Sequence, residues 1–258
     1  MLLVVDVGNS HTVLGLFEGE ELRAHWRLVT SVHRTADEIR VFIGALLQQS
    51  GIDPRAVRGC CISSVVPPLN RCLDEVCRGM FGAAPVMVGP GIRTGIVLQV
   101  ENPKEVGADR IANAVGAVAT YPGPLILVDF GTATTFDAVS DRGEYRGGVI
   151  VPGIEASADA LFERCAKLPR VEISRPPSVI GRDTVSNIRS GLTYGYADLV
   201  DGLIARMIQE MGGRPTVVAT GGLAAIIAEI AQRIDHVDPL LTLRGLRLLF
   251  EKNQRVEE

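Results

Sequence analysis

The chain has 258 residues, of which 47% are hydrophobic and 22% are charged. This is the composition of a folded globular protein, and the length allows one large domain or two packed ones. A formal net charge of −4 gives no general attraction to nucleic acid or to an anionic membrane, so neither is an expected partner and any anionic ligand must be bound by local groups. The longest apolar runs, such as residues 2–5 and 125–128, are far shorter than the roughly 20 residues that span a bilayer.

Two further features indicate a cytoplasmic protein. No basic region precedes the first apolar run, as a secretory signal would require. The five cysteines show no Cys-x-x-Cys spacing. We therefore expect reduced and mostly buried thiols, and neither a disulfide framework nor a structural zinc site.

The first third of the chain predicts a β-meander followed by parallel βαβ units. The expected meander strands are residues 2–5, 12–17 and 22–29. Thr35 and Glu38 have the spacing of a capping box, and they predict a helix that ends near Gly51. The segments expected next are a strand over 59–65, a helix over 69–80 and a strand over 85–88.

Asn102 and Pro103 predict the start of another helix, because they have the form of an N-cap followed by proline at the first helical position. This helix is expected to continue through Ala119. The turn residues 121–124 then mark the expected domain boundary, which gives an α/β fold of two domains, 1–120 and 121–258. The elements expected in the second domain are a helix near 155–165, a helix near 184–211, a strand over 216–219 and a final pair of helices.

Two loops of similar pattern begin the two halves of the chain. In each, an apolar strand ends in an Asp, a Gly follows two positions later, and short polar side chains come next. The first loop comprises Asp6, Val7, Gly8, Asn9, Ser10, His11, Thr12 and Val13, and the second comprises Asp129, Phe130, Gly131, Thr132, Ala133, Thr134 and Thr135.

The residue types in these loops suit phosphate. A glycine turn lets backbone N–H groups approach an anion closely, and hydroxyl and amide side chains add donors. Asp6 and Asp129 would repel a phosphate, so each is expected to hold a cation or an ordered water beside it. Either loop alone could be an ordinary hairpin. Two copies, together with a third glycine turn at Gly221 and Gly222, favour phosphate binding.

A third segment, Gly107 to Arg110, lies inside the helix expected from Pro103. Glycine costs roughly 1 kcal/mol relative to alanine in a helix, so Gly107 needs another reason, such as the close approach of a ligand. On that helix Asp109 shares a face with Val106, Asn113 and Gly116, which would partly shield its carboxylate. The alternative, that Asp109 and Arg110 are solvated surface charges, stays open from the residues alone.

On these motifs the chain resembles ATPases of the actin, hexokinase and heat-shock chaperone type, and specifically the type III pantothenate kinases. In that family the sequence Gly-Ala-Asp-Arg, here residues 107–110, marks the pantothenate site. Residues 181–184 and 238–246 support the resemblance, which runs nearly end to end. It implies two duplicated ribonuclease H-like domains with the nucleotide cleft between them.

The resemblance also implies roles for individual residues. Asp109 is implied as the general base, Asp6 as the residue that orients the Mg²⁺ of MgATP, and Asp129 as a ligand of a monovalent cation, K⁺ or NH₄⁺. The implied pantothenate contacts are Gly107, Ala108, Asp109, Arg110 and Thr184. The implied nucleotide contacts are Asp6 to Val13, Gly131, Thr132, Gly221 and Gly222.

The function implied is ATP-dependent phosphorylation of pantothenate to 4'-phosphopantothenate, the first step of coenzyme A biosynthesis, in a homodimer. The alternatives are another small-molecule kinase of the same superfamily and a non-catalytic regulatory relative. A P-loop kinase is excluded, since the chain has no GxxxxGK[ST]. Gly89 to Gly95 differs from a dinucleotide-binding fingerprint in spacing and contains Pro90, so it predicts a loop.

Overall fold

The first of two five-stranded sheets is built from the N-terminal meander and two later strands. Its strands are β1 (Leu2–Val7), β2 (His11–Glu18), β3 (Glu21–Val29), β4 (Gly59–Ser64) and β5 (Val86–Met87). The order across the sheet is β3-β2-β1-β4-β5. The first three strands are antiparallel neighbours, whereas β4 and β5 run parallel to β1. The predicted meander and parallel units are confirmed in this computed structural model, which describes residues 1–254.

One face of this sheet forms a hydrophobic core with α1 (Ala36–Gln49) and α2 (Pro67–Phe81). The predicted capping box is present, since Thr35 Oγ1 accepts from Glu38 N and a Glu38 carboxylate oxygen accepts from Thr35 N. Leu3, Val5 and Val7 point from β1 into this core. Because side chains alternate along a strand, Val4 and Asp6 lie on the opposite face.

The helix predicted to start at Pro103 begins five residues later. Residues Pro103–Glu105 form a single 3₁₀ turn capped by Asn102, and the α-helix α3 spans Ala108–Thr120. The N-cap and proline signal was therefore correct, but it belongs to a separate short turn. A helix start of this form does not show how far the helix continues.

The second sheet repeats the topology of the first. Its strands are β6 (Leu125–Phe130), β7 (Ala133–Val139), β8 (Tyr145–Pro152), β9 (Thr216–Gly221) and β10 (His236–Val237). Read from β8, the order is β8-β7-β6-β9-β10, again an antiparallel meander beside two parallel strands. Its core is closed by α4 (Ile154–Arg164), α5 (Thr184–Met211) and α6 (Ala224–Ala228).

The last helix, α7 (Leu241–Asn253), packs on the first sheet, against β1, β2 and β4. A β-carbon at Gly15 of β2 would lie 3.0 Å from Leu243 Cδ1, and one at Gly59 of β4 would overlap the Phe250 ring. The two strand glycines therefore let the helix approach the sheet closely. α7 also crosses α3 so tightly that a β-carbon at Gly245 would overlap the carbonyl oxygen of Ala112.

By its internal contacts the chain divides into two compact units. Over the described residues, the first unit comprises 1–96, 101–119 and 241–254, and the second comprises 97–100 and 120–240. Apart from Thr120, which falls in the second unit, the units differ from the expected ranges 1–120 and 121–258 in two places. α7 packs on the first sheet. Residues 97–100 join the second unit because Gln99 N donates a hydrogen bond to Tyr145 O and Tyr145 N donates one to Val97 O. Residues 255–258 of the expected second range lie outside the described residues.

The cysteines are all within the described residues and carry free thiols. Cys60, Cys61 and Cys77 are buried. Burial raises the pKa of the Cys61 thiol to about 12, so this group stays protonated at neutral pH. Over residues 1–254, the helices include none with the length and apolar character needed to cross a membrane.

Candidate active site

The first loop joins β1 to β2 and places Asp6 near the carboxyl end of the central strand of its sheet. Asp6 is paired in register with Ser63 on the parallel strand β4, and Ser63 Oγ donates a hydrogen bond to Asp6 Oδ1. Ser63 is completely buried, whereas Asp6 is half-buried. One oxygen of the Asp6 carboxylate is therefore oriented by a fixed neighbour.

The turn of the first loop is closed by a backbone hydrogen bond from Gly8 N to His11 O at 3.0 Å. A second bond, from Thr30 N to Ser10 O at 2.9 Å, ties the turn to the end of β3. Asn9 and His11 are exposed at the tip, where a ligand can reach them. The Val7 side chain is buried in the core, so any contact of Val7 with a ligand must come from its backbone. The other loop residues, Thr12 and Val13, are half-buried at the start of β2, where Thr12 Oγ1 lies 2.8 Å from Thr30 Oγ1.

The second loop joins β6 to β7 in the same way. Gly131 N donates to Ala133 O at 3.2 Å, and Gly131 and Thr132 are exposed. Gly153, at the N-cap of α4, donates its N–H to Thr132 O at 3.1 Å. A β-carbon at Gly153 would overlap the carbonyl oxygens of both Gly131 and Thr132, so this glycine allows the loop to lie directly against the start of α4.

The predicted third glycine turn lies beside the second loop. Asp129 is paired in register with Thr220 on β9, as Asp6 is with Ser63 in the first sheet. Gly221 follows with a φ of 95°, in the left-handed region that favours glycine. A β-carbon there would lie 2.6 Å from the backbone of Phe130 and 2.7 Å from Asp129 Oδ1. The structure therefore brings Asp129, Gly131 and Gly221 together at the carboxyl ends of the parallel strands β6 and β9.

A groove runs along the second unit next to Gly222. Its apolar wall includes Phe162, Leu168, Leu223 and Ile226. Arg170 also lines it, pairs with Asp159 at 3.4 Å, and lies 4.7 Å from the centre of the Phe162 ring. The groove thus combines flat apolar contacts with a charged pair, which suits a planar heterocycle that carries polar edges.

The structure corrects the expected position of Gly107. Ile111 N donates to Gly107 O at 3.1 Å, so Gly107 is the N-cap of α3 and not a residue inside the helix. Asp109 Oδ1 accepts a hydrogen bond from Arg110 N at 2.8 Å, and a β-carbon at Gly107 would overlap this same oxygen. The glycine therefore leaves room for the carboxylate.

Asp109 and Arg110 are both half-buried, which is not the environment of fully solvated surface charges. The N-terminal turn of α3 also suits a carboxylate, because the free N–H groups and the helix dipole stabilise negative charge there. Ala108 is buried. The face expected to shield Asp109 contains Asn113 and Gly116, and this face is covered by α7: Thr242 Oγ1 donates to Asn113 Oδ1 at 2.6 Å.

Thr184 is the exposed first residue of α5, and the chain before it is tightly fixed. Asp183 caps the helix by accepting from Ser186 N at 2.9 Å. This backbone hydrogen bond is the largest cause that lowers the pKa of Asp183. A β-carbon at Gly181 would lie 2.6 Å from Asn187 N, so the turn folds directly back on the helix.

Residues 1–254 contain no group of three or more His, Cys, Asp or Glu side chains that could by itself hold a metal ion. A divalent metal of the Mg²⁺ type keeps several waters and is bound by one or two carboxylates together with substrate phosphates. The oriented carboxylate of Asp6 is a suitable ligand of this kind.

Ser63 and Thr220 are the candidate site residues that sequence reasoning missed. Each is a hydroxyl residue at the end of a buried parallel strand and lies beside the strand-end Asp. The signal was present in the sequence, since Ser63 and Thr220 both end apolar runs, but only the strand register shows which Asp each one faces.

The repeated topology, with an acidic glycine loop after the central strand of each sheet, gives the actin-like fold of two duplicated α/β units. A solved structure of the same fold is that of a putative 2-dehydro-3-deoxygalactonokinase from Sinorhizobium meliloti, with a TM-score of 0.62, 13% identity, and coverage of 100% of this chain and 98% of that one.

The sequence comparisons are more specific. The family model of type III pantothenate kinase matches residues 2–206. A type III pantothenate kinase from Anaeromyxobacter sp. is 56% identical over 98% of this chain and 100% of its own length, and one from Moorella thermoacetica is 51% identical over the same shares. The chain belongs to the type III pantothenate kinase family.

Proposed function

We propose that the chain carries out the reaction of its family, the ATP-dependent phosphorylation of pantothenate to 4'-phosphopantothenate in coenzyme A biosynthesis, with Asp109 as the general base. The observation that carries this assignment is the local geometry of Gly107 to Arg110. The Asp109 carboxylate is fixed by the Arg110 N–H in space that Gly107 leaves open. This is the segment by which the sequence resembles the pantothenate site of the family.

In the proposed step, the oxygen of the primary hydroxyl of pantothenate attacks the γ-phosphorus of ATP. The bond from this phosphorus to the β–γ bridging oxygen breaks, ADP leaves, and the hydroxyl proton passes to Asp109. Because Oδ1 accepts from Arg110 N, Oδ2 is the oxygen proposed to take the proton. Arg110 and Thr184 are proposed to fix the substrate. A general base of this kind raises the reaction rate about 10²- to 10⁴-fold. The larger part of the catalysis of phosphoryl transfer comes from positioning and charge neutralisation.

The phosphates of ATP are proposed to lie on the two loops, against the exposed residues Asn9 and Thr132 and the glycine turns. Asp6 would hold the divalent metal, with Ser63 orienting the carboxylate. When bound, Mg²⁺ neutralises phosphate charge that would otherwise repel the incoming hydroxyl. Asp129 is proposed to bind the monovalent cation, K⁺ or NH₄⁺. Its carboxylate lies directly beside Gly221, since a β-carbon there would be 2.7 Å from Asp129 Oδ1.

The groove beside Gly222 is proposed to hold the adenine ring. Gly221 ends β9 next to the second loop and Gly222 follows it. Leu223 and Ile226, a few residues further on, line the groove. A nucleotide whose phosphates contact Thr132 would therefore place its base toward α4 and α6. Apolar side chains are suitable partners for the faces of the ring.

The enzyme is proposed to be a cytoplasmic homodimer. Three apolar residues near the start of α5 are exposed, Ile180 at 83%, Val179 at 64% and Val185 at 38%. Leu199, in the middle of the same helix, is exposed as well. Exposed apolar surface of this kind is typical of an interface. The three residues at the start of α5 lie next to Thr184, which is proposed to contact the substrate.

The test is a direct assay of the purified protein with ATP, Mg²⁺ and K⁺, with pantothenate as the acceptor and product mass as the readout. We expect 4'-phosphopantothenate and ADP in equal amounts, and lower turnover when Na⁺ replaces K⁺. A matched panel of sugars and small hydroxy acids should give no product. Turnover of a panel member without turnover of pantothenate would identify a different kinase of the superfamily, and ATP binding without any turnover would favour a regulatory relative.

A further inference from the structure

A buried tyrosine outside the proposed catalytic residues is bonded to the second phosphate loop. Tyr196 lies in the middle of α5 and is 7% exposed. Its hydroxyl lies 2.7 Å from Thr134 Oγ1 and 2.8 Å from the carbonyl oxygen of Pro152. One side chain thus links a core helix to both β7 and β8.

The direction of the two hydrogen bonds follows from counting protons. A phenol has one proton, and a carbonyl oxygen can only accept. The Tyr196 proton therefore belongs on the bond to Pro152, and Thr134 donates to the Tyr196 oxygen. Burial raises the pKa of Tyr196, so the hydroxyl keeps this proton at neutral pH. Replacing Tyr196 by Phe would leave the completely buried Thr134 hydroxyl and the Pro152 carbonyl without this partner.

Both partners of Tyr196 border the backbone that forms the loop. Thr134 follows two residues after Thr132, at the start of β7. Pro152 precedes Gly153, and the Gly153 N–H donates a hydrogen bond to Thr132 O. Because Gly153 has no β-carbon, the carbonyl oxygens of Gly131 and Thr132 can lie directly against it. Tyr196 therefore holds the two segments on which the exposed residues Gly131 and Thr132 rest.

We propose that Tyr196 is a positioning residue that orients the Gly131–Thr132 backbone toward the phosphates of ATP. This inference rests on the proposed function of the second loop as a phosphate site. A phosphate loop acts through hydrogen-bond donors held in fixed positions, so a small displacement of its backbone weakens nucleotide binding even when the fold is kept. A tyrosine that only filled the core would affect stability but not nucleotide affinity.

The test compares Tyr196→Phe with Tyr194→Phe in the full-length protein. Tyr194 is a matched control, because it lies in the same helix and its hydroxyl donates at 3.1 Å to the carbonyl of Pro176, away from the loop. ATP affinity is measured by calorimetry with Mg²⁺, and the KM values for ATP and pantothenate are measured separately. We expect Tyr196→Phe to raise the Kd and KM for ATP about tenfold and the KM for pantothenate less than twofold. Tyr194→Phe should leave the ATP values within about twofold.

Thr134 provides a second route if Tyr196→Phe does not fold. Thr134→Val removes the same bond from the other side, whereas Thr134→Ser keeps the hydroxyl. We expect the Val variant to lose ATP affinity and the Ser variant to retain it. The Tyr196→Phe and Thr134→Val effects should also be non-additive, because they break one shared bond.

An unchanged ATP affinity in Tyr196→Phe or in Thr134→Val, with only a lower melting temperature, would overturn the inference. So would equal losses in Tyr196→Phe and Tyr194→Phe. These outcomes are independent of the acceptor, since ATP binding is measured without pantothenate. A protein that binds ATP through this loop but does not phosphorylate pantothenate would contradict the proposed reaction alone.

Discussion

The carboxylate of Asp109 depends on the glycine two residues before it. Gly107 is the N-cap of α3, and a β-carbon there would overlap Asp109 Oδ1. The atom that would have to move is the end of a flexible side chain, so the clash costs little stability. It would, however, displace the whole Asp109 carboxylate, including Oδ2, which the proposed mechanism needs in one place.

Gly107→Ala should therefore separate activity from stability. We expect kcat to fall about 10- to 100-fold, because an error of about 1 Å in a reacting group can have that effect. The free energy of unfolding should fall by no more than about 1 kcal/mol, the order of an N-cap change. Steady-state kinetics and thermal unfolding on the same sample measure both.

The matched control is Gly44→Ala in α1 of the same unit, where the nearest atom to a new β-carbon is Met80 Cε at 4.0 Å. This variant should keep full activity and gain up to about 1 kcal/mol from helix propensity. Wild-type kcat in Gly107→Ala would show that the space beside Asp109 is not needed.

At the scale of elements, the contact between α3 and α7 fixes the position of α3, the helix that carries Asp109. β-carbons at Gly116 and Gly245 would meet the backbone of the opposite helix, with Leu241 O 2.6 Å from the one at Gly116. Thr242 also bonds to the buried Asn113. α3, which begins with Ala108 and Asp109, is therefore held at a fixed distance by backbone contact.

Gly245→Ala should destabilise the protein although alanine is the better helix former. The propensity gain is about 1 kcal/mol. The added methyl group would overlap the Ala112 carbonyl, and overpacking against backbone costs about 1–3 kcal/mol or more. We expect a net loss that a denaturant titration can measure.

Gly79→Ala in α2 is the control for this measurement, because its new β-carbon would lie 3.5 Å from the side chain of Arg40, an ordinary contact. It should be at least as stable as the wild type. If Gly245→Ala proved equally stable, the close crossing of α3 and α7 would be contradicted.

Predictability also differs between elements. The meander, the capping box at Thr35 and the long helix α5 were predictable because their signals are local: alternating polarity, cap residues and helical spacing. The start of α3 was not predicted, since Asn102 and Pro103 cap a 3₁₀ turn and nothing local shows that Gly107 opens a second helix. The reason for Gly107 is a contact with Asp109, which the spacing alone does not reveal.

At the scale of the molecule, the duplication was the most predictable feature. Asp6 and Asp129 stand at the end of apolar strands and are followed by the same pattern of glycine and short polar residues. The structure places both in the central strand of a five-stranded sheet, and the two sheets have the same strand order. The packing of α7 on the first sheet was not predictable, because it depends on Gly15 and Gly59, two glycines far away in sequence. Tyr196 and Ser63 were missed for the same reason, since their partners are set by tertiary packing.

The central claim, that Asp109 is the base in pantothenate phosphorylation, is tested most directly by Asp109→Asn beside the wild type. Asn keeps the size of the side chain and an oxygen that can accept from Arg110 N, but it cannot take the proton. We predict that kcat falls about 10²- to 10⁴-fold while the ATP affinity and the melting temperature are unchanged. Wild-type turnover in the Asn variant, with the same fold and ATP binding, would contradict the account.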